Sequence, residues 1–548
     1  TALEMLGLGF IFSIVGVLSP ANEKSELLMD KLSSFMELEK SEIFLYLLLF
    51  FLIFYTLKII FLIFYNWFES NFLYSYKEYL SSKVFKEYLN QSISYFFNRN
   101  SSEFIRNLIT EVDQFNAFLT SFLKIALEIV VIIGIAFVLS YISFYFTFLL
   151  LIIFLLFASL YFFLLRGKLN KWGVQRLSNM QKRIQFMQEG FDGIKIIKLL
   201  GRENFFFNKF KIHNINLFKI STITYFFQSI PKLLIEFIGV IFVVISIFIL
   251  FYKGSNLIEM TQILSVYIAA SFRILPSINK IVTSIQLIKL TYPSINVLYN
   301  ELRNFKKESN ISYEKFNFTK TINVDIEKFE YPDSNKFQIS DVSIDIKKGE
   351  KIGIIGPSAS GKSTIVEILA GILEPNKGKV TVDGNSIFSN IRGWQKLIGF
   401  VPQKIFILDE NLRNNILFGL SNKEYTDDII VALIKKLSLE KLLNRLPKGL
   451  DGNLGEEGVN LSGGEIQRIG LCRALIYDPE ILFLDEATSS LDVNTESQIL
   501  DELKIFKEKT IISIAHRINT LKNTDKIYSF DKGKIVDQGN YDKFKIKN

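Results

Sequence analysis

Two patterns of apolar and polar positions divide the chain. Through roughly the first 300 residues, long runs with few polar positions recur at Leu3–Leu18, Ile43–Trp67, Phe118–Tyr141, Phe144–Leu165, Ile230–Tyr252 and Leu257–Ile285. All but the first approach or exceed the about 20 residues a helix needs to cross hydrocarbon. A buried soluble helix accounts for one such run, not for a series. The pattern predicts six spanning helices, the last the least apolar and carrying Pro276. Leu3–Leu18 has no basic flank before it and the chain starts at Thr1, so it reads as the latter part of a truncated first helix rather than a signal peptide. The segments between spans two and three and between spans four and five read as helices continuing beyond the membrane, for example Gln175–Gln188. Each reverses through a short polar or glycine-bearing piece, Asn98–Ser102 and Phe191–Gly193, either an ordinary loop or a docking element for a soluble portion.

After Leu302 the pattern changes. Arg303–Lys320 is charged and rich in Asn and Ser, and from Thr321 short apolar strand patterns alternate with helical ones, the signature of an α/β domain with a largely parallel sheet. The expected organisation is a multi-domain membrane protein: an all-α six-helix membrane domain over 1–300, a linker over 301–320 and an α/β domain over 321–548.

Composition agrees: 49% of the 548 residues are apolar, including 53 Phe, and mean hydropathy is positive. The net charge of +8 does not require nucleic acid, because it is topologically sorted. Arg166–Ser229 is dense in Lys and Arg with only Glu189, Asp192 and Glu203 opposing, whereas Ala21–Glu42 is acidic. The positive-inside rule places the basic loop, and with it the α/β domain, in the cytosol. The single Cys472 excludes an intrachain disulfide and reads as a small buried residue. His213 reads as a surface residue. Ionisable residues inside spans are expensive and default to function. The basic ones are Lys58, Lys232, Arg273 and Lys280, with Lys124 a further candidate. Arg273 and Lys280 share a helix face, and Glu128 and Glu236 follow Lys124 and Lys232 by four, the spacing of intrahelical pairs. These cations either snorkel to the interface or line a watery cavity that favours an anionic headgroup.

Candidate chemistry is concentrated in the α/β domain. Gly356-Pro357-Ser358-Ala359-Ser360-Gly361-Lys362-Ser363-Thr364 follows a strand pattern, Lys351–Ile355, and opens a helix pattern, Ile365–Leu373. This is the phosphate loop in its strand–loop–helix context. Its backbone N–H groups curl around phosphate oxygens, Lys362 reaches the β- and γ-phosphates, and the Ser363 hydroxyl is placed for Mg²⁺. The strand Ile481–Asp485 ends in two carboxylates: Asp485 is placed to hold Mg²⁺ opposite Ser363, and Glu486 to polarise an attacking water. Leu461-Ser462-Gly463-Gly464-Glu465 opens another helix, either as a second anion site or as a simple cap. Ser489–Asp492 and, after the strand pattern Thr510–Ala515, His516 complete the set.

That ordered set resembles the nucleotide-binding domain of ATP-binding-cassette (ABC) transporters over essentially all of 321–548. Gly356–Thr364 matches the Walker A loop, Ile481–Asp485 the Walker B strand, and Leu461–Glu465 the LSGGQ signature, with Glu465 in place of the final Gln. Gln403 matches the Q-loop, Tyr331 the aromatic that stacks on adenine, Asp492 the D-loop, His516 the switch histidine, and Gly455–Gly458 an exporter-specific segment. The resemblance implies ATP and Mg²⁺ as cofactors, with Ser363, Gln403 and Asp485 around the metal and Glu486, His516 and Lys362 catalytic. Ser462, Gly463, Gly464 and Glu465 would face the ATP of another protomer. It also implies an exporter half-transporter working as a homodimer in a bacterial inner membrane.

A finer resemblance is to PglK-type flippases of lipid-linked oligosaccharide, carried by Arg273-Ile274-Leu275-Pro276-Ser277-Ile278-Asn279-Lys280-Ile281 and by Pro231, Lys232, Glu236, Glu128 and Lys58. Ser25–Leu38 is similar to that group's external amphipathic helix. This implies a polyprenyl-pyrophosphate cargo held by Lys58, Lys232, Arg273 and Lys280. The alternatives are an exporter of lipid A, a drug or a peptide, or an ATP-gated channel. A soluble chromosome or repair ATPase shares the cassette motifs but lacks spans.

Overall fold

The computed structural model describes residues 40–254, 257–305, 316–331, 338–421, 423–455, 458–459, 461–487, 498–499, 502, 506, 508–515 and 517–545. The expected first span, the amphipathic stretch Ser25–Leu38, Asp492 and His516 lie outside them. The chain forms two compact units, one of residues up to Gln91 with Arg99–Lys306, the other of Ser92–Asn98 with Lys307–Asn548.

The first unit is helical: α1 (Lys40–Leu89), α2 (Ser101–Arg106) continued through a π turn (Asn107–Glu111) into α3 (Val112–Ile142), α4 (Phe144–Leu164), α5 (Lys168–Asp192), α6 (Ile194–Leu200), α7 (Glu203–Tyr252) and α8 (Leu257–Asn304). At 1.5 Å per residue, the 50-residue α1 and α7 are about 75 Å long, more than twice the hydrocarbon thickness, as the extended segments predicted. Among the described residues four helical stretches are apolar enough to span, ending at Leu89, Tyr141, Leu164 and Tyr252. The helix α8 carries Arg273, Ser277, Asn279 and Lys280 among its apolar residues. Its buried face is nonetheless apolar. Tyr267, Ala270 and Ile274 pack against Val131, Ile135 and Leu139 of α3, Phe146 and Leu150 of α4, and Ile235 and Phe242 of α7, at the spacings of one helical face. Outward residues such as Phe137 and Phe248 stay exposed, as lipid-facing side chains do.

Several polar groups inside this unit are paired between helices. Pro231 has no N–H to return to the carbonyl of Phe227, four residues earlier in α7. The Tyr161 hydroxyl donates to that carbonyl at 2.5 Å and the Gln286 amide at 2.9 Å. At the polar end of the bundle, fully buried Glu111 in the π turn lies 3.7 Å from Arg106 and 3.5 Å from Arg176, and Arg176 donates to Ser294 of α8 at 2.7 Å. His213, expected at the surface, is half-buried: its ring stacks on Phe186 at 5.6 Å because α5 and α7 pack side by side.

The second unit is α/β. An antiparallel sheet contains β1 (Thr321–Glu330), β2 (Gln338–Lys347), β4 (Lys377–Val382) and β5 (Asn385–Ser386) in the order β2-β1-β4-β5. The second sheet is mostly parallel: β10 (Lys534–Gly539), β9 (Lys526–Asp531), β3 (Lys351–Ile355), β8 (Thr510–Ile514), β7 (Ile481–Asp485) and β6 (Ile398–Val401). The strands β7 and β8 read almost wholly apolar and are buried almost throughout, as expected for strands covered on both faces. Helix α9 (Lys362–Leu369) opens directly after Gly361, and helix α10 (Gly463–Leu475) directly after Ser462. Cys472 in α10 is buried, as expected, and burial pushes its thiol far above the usual range, so it is unreactive at neutral pH.

The carbonyl of Phe227 supplies a direct test. Tyr161→Phe or Gln286→Leu alone leaves it one donor and should cost little. The double variant orphans it and should cost about 1–3 kcal/mol. Adding Pro231→Ala, which restores the helix's own N–H, should recover most of that loss in thermal unfolding of the purified protein.

Candidate nucleotide site

The site in the second unit lies at the carboxyl ends of parallel strands, where open α/β sheets bind ligands. After β3 the chain must turn sharply and approach its neighbours closely. A side chain at Gly356 (φ 153°) would put a Cβ 2.2 Å from the carbonyl oxygen of Phe530. Gly361 (φ 106°) then caps α9, so the loop's N–H groups and the helix N-terminus converge on one hollow. Lys362, buried at the start of α9, donates to the carbonyls of Gly356 at 3.0 Å and Pro357 at 2.9 Å. Burial lowers its pKa while the carboxylates of Glu486 and Asp485 oppose that.

The predicted residues gather here. Tyr331, Ser358, Ala359, Ser360, Gly361, Lys362, Ser363, Thr364, Gln403 and Glu486 line one cavity of about 390 Å³. The Ser363 hydroxyl donates to Asp485 at 3.2 Å across its edge, and the Gln403 amide donates to Glu486 at 2.5 Å. Glu486 has φ 49°, a left-handed conformation uncommon for a non-glycine residue, immediately after β7. The Ser360 hydroxyl is buried with no hydrogen-bond partner among the described residues. This hard-oxygen set, one hydroxyl, one amide and one or two carboxylates, suits Mg²⁺, which takes few protein ligands and completes its shell with phosphates and water.

One contributor escaped the sequence reading. Glu367, one turn past Ser363 on α9, approaches the Tyr331 hydroxyl at 3.4 Å, and that hydroxyl also meets Thr364 at 3.0 Å. Burial, and secondarily the Asp485 charge, raises the Glu367 pKa. The helical spacing from Ser363 was the available signal. Phe97, grouped with this unit, sets its ring edge-on to Tyr331 at 5.3 Å.

Ser462, Gly463, Gly464 and Glu465 do not line this cavity. Ser462 caps α10 in a reciprocal capping box with Glu465: the Glu465 N–H donates to the Ser462 hydroxyl at 3.3 Å, and the Ser462 N–H donates to the Glu465 carboxylate at 2.8 Å. Burial alone would raise the Glu465 pKa, but the Ser462 donors and Arg445 hold it below the usual range. Glu465 therefore completes the cap that a Gln would also complete.

In the first unit the structure gathers two of the four predicted cargo residues. Lys280 donates to Glu128 at 2.7 Å and Arg273 lies 3.7 Å from the same carboxylate. The expected intrahelical pair of Lys124 with Glu128 is thus replaced by pairing between α3 and α8. Lys58 sits over the Tyr55 ring, 4.6 Å from its centroid, and Lys232 is exposed on α7. Beside the cluster, on the next residues of the same helices, Ile132 and Ala136 of α3, Leu150 and Phe154 of α4, and Ile278 and Ile281 of α8 line an apolar groove. Its volume is about 180 Å³, of the order of the roughly 150 Å³ apolar cavity that accepts a benzene.

Comparison with known proteins places the whole arrangement. The family profile described as ABC transporter transmembrane region matches residues 2–275, and the one described as ABC transporter matches 339–489. The chain is 35% identical over 213 residues to an ATP-dependent lipid A-core flippase of Alkalilimnicola ehrlichii, covering 38% of this chain and 36% of that one. It is 37% identical over 214 residues to the human mitochondrial iron-sulfur clusters transporter ABCB7, covering 39% and 28%. These matches therefore span well under half of those relatives' lengths. A longer match, 25% identical over 475 residues, covers 84% of this chain and 76% of the heterocyst differentiation ATP-binding protein HepA of Nostoc. The fold is similar to that of a bacterial Atm1-family ABC exporter solved with ATP bound: TM-score 0.78 at 19% identity, over 98% and 96% of the two chains. A helical membrane unit and a phosphate-loop α/β unit, each matched by its own profile, show that this chain belongs to the ABC transporter family.

Proposed function

We propose that the chain is one half of a homodimeric, ATP-driven exporter of the bacterial inner membrane, with its α/β unit in the cytosol. The observation that carries this reading is the single cavity lined by Tyr331, the loop Ser358–Thr364, Gln403 and Glu486. Tyr331 stacks on adenine, the loop N–H groups and Lys362 hold the phosphates, and Ser363, Asp485 and Gln403 hold Mg²⁺. When bound, Mg²⁺ would supply positive charge against the phosphates. Glu486, oriented by Gln403, takes the proton of the attacking water. Ser462 and Gly463, outside this cavity in one chain, serve the ATP of the second copy, and His516 and Asp492 are assigned to the same machinery by motif. ATP favours the clamped dimer over the open one, and that difference in affinity switches the membrane unit between inward- and outward-facing states. Intact positions for Lys362, Asp485 and Glu486 argue against an ATPase-dead channel.

For cargo, the reading is an amphipathic anionic lipid, most specifically a polyprenyl-pyrophosphate-linked oligosaccharide, moved from the cytosolic to the outer leaflet. Its support is the juxtaposition of the basic pair Arg273 and Lys280 of α8 with an apolar groove lined by α3, α4 and α8, a head site beside a tail site. Lipid A-type cargo offers the same chemistry. Liposomes holding the purified protein, given ATP and Mg²⁺ with either labelled lipid, separate the two; transport of neither refutes both.

Glu486→Gln should bind ATP within about threefold of wild type while turnover drops about 10²-fold or more; near-normal hydrolysis would remove Glu486 from the base role. Arg273→Ala combined with Lys280→Ala should cut transport of the pyrophosphate lipid at least about tenfold, the loss of one charge-assisted contact or more. Unchanged transport would separate the basic pair from the cargo.

A further inference from the structure

Within the head site, the buried carboxylate of Glu128 is the feature without an assigned purpose. Its side chain is 8% exposed, whereas those of Arg273 and Lys280 are 25% and 51% exposed. The carboxylate is therefore the most buried member of the cluster, and the two cations are its more exposed members. Lys280 donates to one carboxylate oxygen at 2.7 Å; the other is buried 3.7 Å from Arg273. Ser277, between the cations on α8, accepts from the Arg273 guanidinium at 3.3 Å. Glu128 is an acid that both cations share.

Two consequences follow from electrostatics. Without Glu128 the two cations would repel each other in a poorly hydrated region, so the carboxylate fixes their separation. With it, an arriving phosphate meets a field reduced by one charge and competes with the carboxylate for the same donors. A transporter needs such a compromise, because a head group bound too tightly on one side of the membrane is not released on the other. We infer that Glu128 is an internal counter-anion that positions Arg273 and Lys280 and deliberately weakens their hold on a phosphate-bearing head group, setting the balance between capture and release. The inference rests on the cargo reading above and deepens it.

The test uses the full chain in lipid nanodiscs and proteoliposomes, with undecaprenyl pyrophosphate as probe and undecaprenol and inorganic pyrophosphate as comparison arms. Glu128→Gln keeps the shape and removes the charge. It should lower the Kd for undecaprenyl pyrophosphate about tenfold and leave that for undecaprenol unchanged. Its transport should show a lower half-saturating concentration together with a lower maximal rate, a split that a merely structural role does not produce. Tightening for inorganic pyrophosphate as well would assign the effect to the phosphates; tightening only for the lipid would assign it to the phosphates together with the tail. Either supports the inference. Binding that is unchanged or weaker in Glu128→Gln overturns it. Should that variant fail to yield monodisperse protein, Glu128→Asp decides, since it withdraws the charge by one methylene: tighter binding than wild type supports, equal or weaker binding overturns. If wild-type binding proves indifferent to Arg273→Ala with Lys280→Ala, the cargo reading itself falls. If that binding depends on the pair but ignores Glu128, the counter-anion alone falls.

Discussion

A polar group in hydrocarbon has no water to turn to, and that constraint organises the first unit. It explains why a proline midway along α7 coexists with a hydroxyl and an amide from two other helices aimed at one carbonyl. It explains why the Tyr267 hydroxyl finds both Thr147 and the Ser143 carbonyl at 2.8 Å. Each such pairing joins two helices at one point, so the requirement for satisfaction also fixes the packing. The apolar faces alone, all Phe, Leu and Ile against similar lipid, would select no unique arrangement.

The second unit obeys the same accounting with a different outcome. Most of its polar groups are consumed by two sheets, yet at the carboxyl ends of β3 and β7 several are left facing one hollow. The buried Ser360 hydroxyl has no partner among the described residues, Lys362 leans back on its own loop's carbonyls, and Glu486 holds an unfavourable backbone conformation. A self-contained fold would settle these groups internally; their orientation toward a shared cavity fits a phosphate and its metal.

How much of this was legible in the sequence depends on how local each signal is. The phosphate loop, the strand ending at Asp485 and the helix caps are contiguous motifs; loop residues named from the first line the cavity, Asp485 meets Ser363 at its edge, and the Ser462–Glu465 cap stands outside it. The long helices were legible because apolar runs and amphipathic continuations need no partner to be recognised. Side-chain pairing was not. The i,i+4 rule pointed Glu128 at Lys124, but a buried carboxylate binds whichever cation reaches it, and α8 supplies two. Glu367 sits one helical turn past Ser363, but its contact with Tyr331 was not legible, since Tyr331 arrives from the end of β1, a strand of the other sheet. His213 was misjudged for the same reason: a polar residue in a polar stretch looks exposed until a second helix lies against it.

The apolar groove and the ion cluster also bear on one another. A charge is least screened where low-dielectric walls surround it, so cations beside an apolar groove attract an anion more strongly than the same cations in water. On the proposed cargo reading, the groove would do more than accept a tail: it would sharpen the field at the head. That sharpening makes an unopposed pair of bases a trap, and it makes a carboxylate shared between them useful. Because Arg273, Ser277 and Lys280 succeed one another along a single face of α8, a turn or a slide of that helix relative to α3 moves both cations with respect to Glu128 together. Separating them from the carboxylate strengthens the site for phosphate, and returning them weakens it. On the proposed cargo reading, a helix motion of ordinary size would change affinity without building or dismantling the site, and that is what alternating access would require of it.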